Sequence, residues 1–189
     1  YTMNVKTQLV QTPVTPAENF FRYTSELALK MPGLLNPTPE RIREKAPWVR
    51  TIEHDISQDS AGFLRIGTIL GEAEQNPIKG DEYKRRIATI PEAFFGYQHA
   101  DFLVQNQDEF PEFVEIFKEI YESEPVVYSR PYIDFLGLVV RDENGSRAVP
   151  HVGIAYDESL YLGWTWLDRG FRINGRIAVA NTSVPIVVG

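Results

Sequence analysis

At 189 residues, with 43% hydrophobic and 12% aromatic side chains, the chain has ample material for one packed core, which excludes wholesale disorder. The absence of cysteine excludes a disulfide scaffold, a thiolate metal site and a cysteine nucleophile. A net charge of −7 argues against a nucleic-acid partner, because the lone basic triplet Lys84-Arg85-Arg86 reads as a solvated helix face rather than a phosphate-binding patch.

In chain order, residues 1–14 alternate loosely, with Met3 and Val5 on one side, and suit an extended arm or an edge strand. Thr15-Pro16-Ala17-Glu18 carries a capping residue, a first-turn proline and a capping-box glutamate, so a helix is expected from there to about Lys30, stopped by Met31-Pro32-Gly33. Thr38-Pro39-Glu40 opens a second, short helix ending near Pro47, and residues 51–56 read as extended. In residues 61–70, Phe63, Ile66 and Leu70 fit helical spacing, and the segment is read as helical despite Gly62 and Gly67. Helices are also expected over residues 81–89 and 91–106. The clearest helix follows Asp108: Phe110, Phe113, Val114, Phe117, Ile120 and Tyr121 form one apolar stripe, while Glu112, Glu115, Glu119 and Glu122 form the opposite face.

The last third changes character. Short apolar runs at 133–140, 148–156, 161–167 and 171–180 are separated by turn-forming residues, including Asn144-Gly145 and Asn174-Gly175, which is the pattern of antiparallel hairpins. The expected fold class is therefore α+β, as a single domain. An extended arm (1–14) and a mainly helical region (15–125) would pack on one face of an antiparallel sheet of about four or five strands built from residues 126–189.

No sequence pattern fixes a reaction. The nucleophile elbow, the phosphate loop and the dinucleotide fingerprint are all missing, and no catalytic residue can be named. His54, His99 and His151 are far apart, so no metal site and no cofactor is expected. Asp134, Asp157 and Asp168 fall in or beside expected strands, where an inward carboxylate needs a reason to be there. The segment singled out for binding a partner or ligand is Tyr161, Trp164, Trp166 and Arg169: on a strand the two indoles project to the same face, beside Gly163. Core packing competes with that reading.

No apolar run reaches the roughly 18 residues of a membrane-spanning helix, and the start lacks a signal-peptide layout. A soluble protein is expected, in the cytoplasm or within a particle rather than secreted. The leading expectation is a non-catalytic structural or interaction subunit of a larger assembly, viral or phage particles included, with a protein partner or its own copies. One alternative is an acidic inhibitor or immunity-type protein whose face Glu112, Glu115, Glu119 and Glu122 meets a basic target. Another is a carboxylate-based hydrolase.

Overall fold

In residues 22–31 the odd positions from Tyr23 to Met31 are mostly apolar and the even ones mostly polar, a period of two that belongs to a strand. A computed structural model, which describes residues 20–57, 61–71, 74, 76–123 and 130–181, places strand β1 there (Arg22–Met31). The helix expected to run to Lys30 is thus corrected; its supposed start at Thr15, the arm 1–14 and residues 182–189 lie outside the described residues. Residues 61–70 are corrected in the same way, since Gly62–Thr68 forms strand β3. Its glycine has a packing reason: a Cβ on Gly67 would stand 2.5 Å from the Arg22 carbonyl and run into the Phe21 ring.

The remaining elements are helix α1 (Pro39–Lys45), strand β2 (Thr51–Asp55), helix α2 (Gly80–Ile87), strand β4 (Ala93–Phe94), helices α3 (Tyr97–Gln105) and α4 (Pro111–Ser123), and strands β5 (Tyr132–Asp134), β6 (Leu138–Arg141), β7 (Arg147–Ile154), β8 (Leu160–Trp166) and β9 (Gly175–Asn181). Thr38 caps α1 by accepting from the Arg41 amide at 3.4 Å. Asp142 closes the β6–β7 turn by accepting from the amides of Asn144 and Ser146, and Gly145 there has φ +82°.

The expected architecture, a helical two thirds packed on a C-terminal sheet of four or five strands, is overturned by the sheet, which dominates the α+β fold. Nine strands form one mixed sheet in the order β1-β3-β9-β5-β7-β6-β2, with β4 on β9 and β8 on β7. Four of the nine come from the part expected to be helical. Most pairs are antiparallel, but β5 and β9 run parallel, so Asn174-Gly175 leads into a central strand and is no hairpin turn. The physical reason is burial on both sides. Ala178 and Ala180 of β9 pack toward α3 and α4, whereas Ile177 and Val179 pack toward α2 and Phe171, and a strand covered on both faces loses the polar alternation that marks it in sequence.

On the first face, α4 buries Phe113, Ile116, Phe117 and Ile120 against Met31, Leu64, Ile133 and Val152. Each such side chain contributes about 1.5–3 kcal/mol. Tyr121, at the end of the expected stripe, is 58% exposed instead. α1 and its capping residue cover the β6 end of this face through Ile42 and Ala46. On the second face, α2 contributes Tyr83 and the buried Arg86, whose guanidinium donates to Glu74 (2.6 Å), Glu82 (2.5 Å) and the Ile69 carbonyl (2.8 Å).

β5 and β6 lie end to end along one side of β7, Asp134 opposite His151 and Val140 opposite Ala148. Between them the ladder is interrupted: Gly137 donates to the Phe95 carbonyl and accepts from the Ile56 amide. Pro150 sits in β7 at this gap. Its carbonyl accepts from the Phe135 amide at 2.9 Å, so the side on which its N–H is missing is the side where no ladder partner waits.

Candidate functional site

Three strands in register bring the most unusual polar cluster together. Asp134 of β5 stands opposite His151 of β7, which stands opposite Gly163 of β8. Thr165 lies two residues further along β8 and points to the same face. Its hydroxyl is 2.6 Å from Asp134 Oδ1 and 2.9 Å from His151 Nδ1, so it links acid to imidazole. Asp134 is fully buried, its Oδ2 has no partner among the described residues, and burial pushes its carboxyl up to about 8. Burial likewise pulls the His151 imidazole down to about 4, so it is neutral at neutral pH. The ring rests on Gly163, where a Cβ would come within 2.5 Å of Nε2.

This cluster opens into a groove of about 200 Å³ lined by Tyr132, His151, Thr165, Arg169, Gly170 and Arg172, with Trp164 and Trp166 along its β8 side. Tyr132 hydroxyl accepts from the Arg172 amide at 3.2 Å, and burial raises its pKa above the ordinary tyrosine range. The side chains of Arg169 and Arg172 are exposed and form no ion pair among the described residues.

The outer edge of β8 is the second feature. Because the Pro150 main chain faces β5, the residues of β8 that bond to β7 are Tyr161, Gly163 and Thr165, and the main-chain groups of Leu160, Leu162, Trp164 and Trp166 face outward. Leu160 N–H donates to Gln107 Oε1 at 2.7 Å. Those of Leu162, Trp164 and Trp166 have no hydrogen-bond partner among the described residues.

Of the residues singled out in sequence, Trp164 and Trp166 do share a face, opposite to that of His151 and Thr165. They are half-buried there: Trp48 lies 5.3 Å from Trp164 and 4.8 Å from Trp166, and Tyr97 stacks on Trp164 at 5.9 Å. Tyr161 is 41% exposed, its ring crossing Gly153 toward His151. Arg169 borders the groove. Glu112, Glu115, Glu119 and Glu122 all face solvent on α4, with Glu115 paired to Lys118 at 2.9 Å.

The histidines are not gathered. His54 is exposed on β2, and His99 is buried near the start of α3, its Nδ1 accepting from the Gly96 amide at 3.3 Å. Among the described residues no group of three acidic, histidine or cysteine side chains could hold a metal, and no helix is long and apolar enough to cross a membrane. Asp157 closes a turn through Ser159 and Asp168 is exposed, which leaves Asp134 as the carboxylate joined to a histidine. Sequence reasoning missed Thr165, Tyr132 and Arg172; the available signal was the alternation of β8, which turns Thr165 away from the two indoles.

Another groove of about 520 Å³ runs between residues 33–38 and α3, where Gln98 donates to Asn36 Oδ1 at 2.6 Å and Asp101 pairs with Lys45 at 3.1 Å. Gln98 Oε1, by contrast, is buried there without a partner among the described residues. The structure thus defines the protein only as α+β with a large, mostly antiparallel mixed sheet. Comparison with protein-family models, curated proteins and solved structures gave no significant match.

Proposed function

We propose that the chain is a non-catalytic interaction subunit that joins a second copy of itself by extending the sheet along β8, as a step in building a larger assembly of the viral or phage kind. The observation that carries this reading is the outer edge of β8, which no described strand covers. An edge strand normally carries charge, proline or a bulge that discourages pairing, and Leu160–Trp166 has none of them. Charge favours an antiparallel approach. Asp157 and Glu158 precede β8, while Asp168, Arg169 and Arg172 follow it with a net charge of +1, so antiparallel copies set unlike ends together and parallel copies set like ends together.

Pairing centred on Trp164 would place Leu162 opposite Trp166 of the second copy and form about six backbone hydrogen bonds. At about 0.5–1.5 kcal/mol each, set against an association cost of about 4 kcal/mol or more, the expected dimer is weak and concentration-dependent. Residue-resolved amide exchange over a dilution series tests this, with mass followed by light scattering. Protection that appears at Leu162, Trp164 and Trp166 as the dimer forms, while Gly163 and Thr165 stay protected throughout, supports the reading. A monomer at every concentration, or a dimer that leaves those three amides unprotected, overturns it.

A further inference from the structure

The geometry points to a binding site for a small oxyanion, a carboxylate or phosphate group, in the groove beside β8, held by Arg169 and Arg172 and by the Nε2–H of His151. Three observations lead there. The chain carries −7 overall, yet Arg169 and Arg172 both line the groove and neither forms an ion pair among the described residues. The main-chain N–H of Arg172 already donates to the Tyr132 hydroxyl at 3.2 Å inside the same groove. At about 200 Å³ the groove is smaller than the roughly 300–1,000 Å³ of drug-sized pockets, and suits a small group held by the planar forks of two arginines.

The relay behind His151 decides what Nε2 offers. While Asp134 is protonated, its proton bonds Thr165 Oγ1, the Thr165 hydroxyl donates to Nδ1, and Nε2 carries the ring proton and can donate to an anion. When Asp134 loses its proton, Thr165 donates to Oδ1, Nδ1–H donates to Thr165, and Nε2 presents a lone pair that opposes an anion. The other titratable or charged groups facing these two are Tyr132 and Tyr161 from the neighbouring strands, Tyr83 from α2, and Arg169 and Arg172 from the loop after β8; burial holds the hydroxyls of Tyr132 and Tyr83 above the ordinary tyrosine range. Asp134 is therefore the group that switches the site.

Titration with acetate and, separately, with inorganic phosphate, followed by the His151 ring-nitrogen and Arg side-chain NMR signals below the concentration of any self-association, tests the site. The expected result is saturable binding at pH 6.5 that weakens about tenfold in the Arg169→Gln/Arg172→Gln double variant, both side chains being exposed and forming no ion pair among the described residues. Acetate, which stays ionised throughout, is expected to bind the wild type about tenfold more weakly at pH 9.5. Asp134→Asn, whose amide can donate to Thr165 at every pH, is expected to hold its affinity within about twofold. Tighter binding of phosphate than acetate assigns a phosphate group, and the reverse a carboxylate. Shifts that fail to saturate, or that persist undiminished in the double variant, overturn the site; an alkaline loss that survives in Asp134→Asn overturns the relay.

Discussion

Replacing Asp134 by asparagine should make the protein less stable at pH 4 and more stable at pH 8. In the unfolded chain an aspartate ionises near 3.9, but burial holds Asp134 neutral in the fold up to about 8. The folding stability associated with this group is therefore fully present below about pH 4 and is lost progressively as the pH rises to 8, because only the unfolded chain gains from releasing the proton. Four pH units at about 1.36 kcal/mol each set an upper bound near 5 kcal/mol. Relaxation and water entry lower the effective penalty, so a difference on the order of 3 kcal/mol between the two pH values is expected. Asparagine keeps the Thr165 contact by donating its amide N–H to Oγ1, but leaves its second N–H, and its carbonyl oxygen at the Oδ2 position, without a partner, which costs about 1 kcal/mol at pH 4. Urea unfolding followed by tryptophan fluorescence at both pH values reads the two curves directly. A variant that differs from the wild type by the same amount at pH 4 and pH 8 would show that Asp134 is ionised in the fold, and the relay to His151 would fall with it.

His99 and His151, both held down to about 4 by burial, act with the opposite sign: their contribution is present above about 6.5 and falls as the pH drops toward 4, by about 1.4 kcal/mol per unit for each. Together with Asp134 they place the stability maximum near pH 6.5, and NMR titration should find both rings neutral at pH 5.5. Arg86→Met should cost about 3–5 kcal/mol in chemical denaturation, since it leaves the Ile69 carbonyl and Glu74 without their buried cation; an effect under 1 kcal/mol would show the cluster to be solvent-screened. Phe117→Ala, on the fully packed face of α4, should cost about 3–5 kcal/mol by the same assay. Gly163→Ala drives a methyl into the His151 ring and should cost about 1–3 kcal/mol while shifting the His151 resonances, whereas Gly153→Ala meets the free end of the exposed Tyr161 and should cost less.

Helices α1, α2 and α4 were legible because their signals are local: Thr38 before Pro39, the turn at Gly80, and a stripe from Phe113 to Ile120. β1 was misread because cap-like residues at 15–18 outweighed the alternation that follows them. β3 was misread because Phe63, Ile66 and Leu70 happen to keep helical spacing in a strand buried on both faces. Asp134 was visible as a carboxylate in an apolar run, but its partners were not. Thr165 lies 31 residues away and reaches it across β7, and no local pattern encodes a contact made through a third strand.

β9 is the last described strand in sequence and yet lies in the middle of the sheet, between β3 and β5. A chain emerging from the ribosome therefore presents two half-sheets, one ending on β3 and the other on β5, each with a bare rim that, among the described residues, is covered by 175–181. Neither half can close while those residues are still in the exit tunnel, so folding is expected to wait for synthesis of the sheet's own keystone and then to proceed slowly through contacts distant in sequence. Chains cut short before Gly175 would carry both rims exposed, and nonsense or degraded products should gather in aggregates rather than persist as soluble fragments.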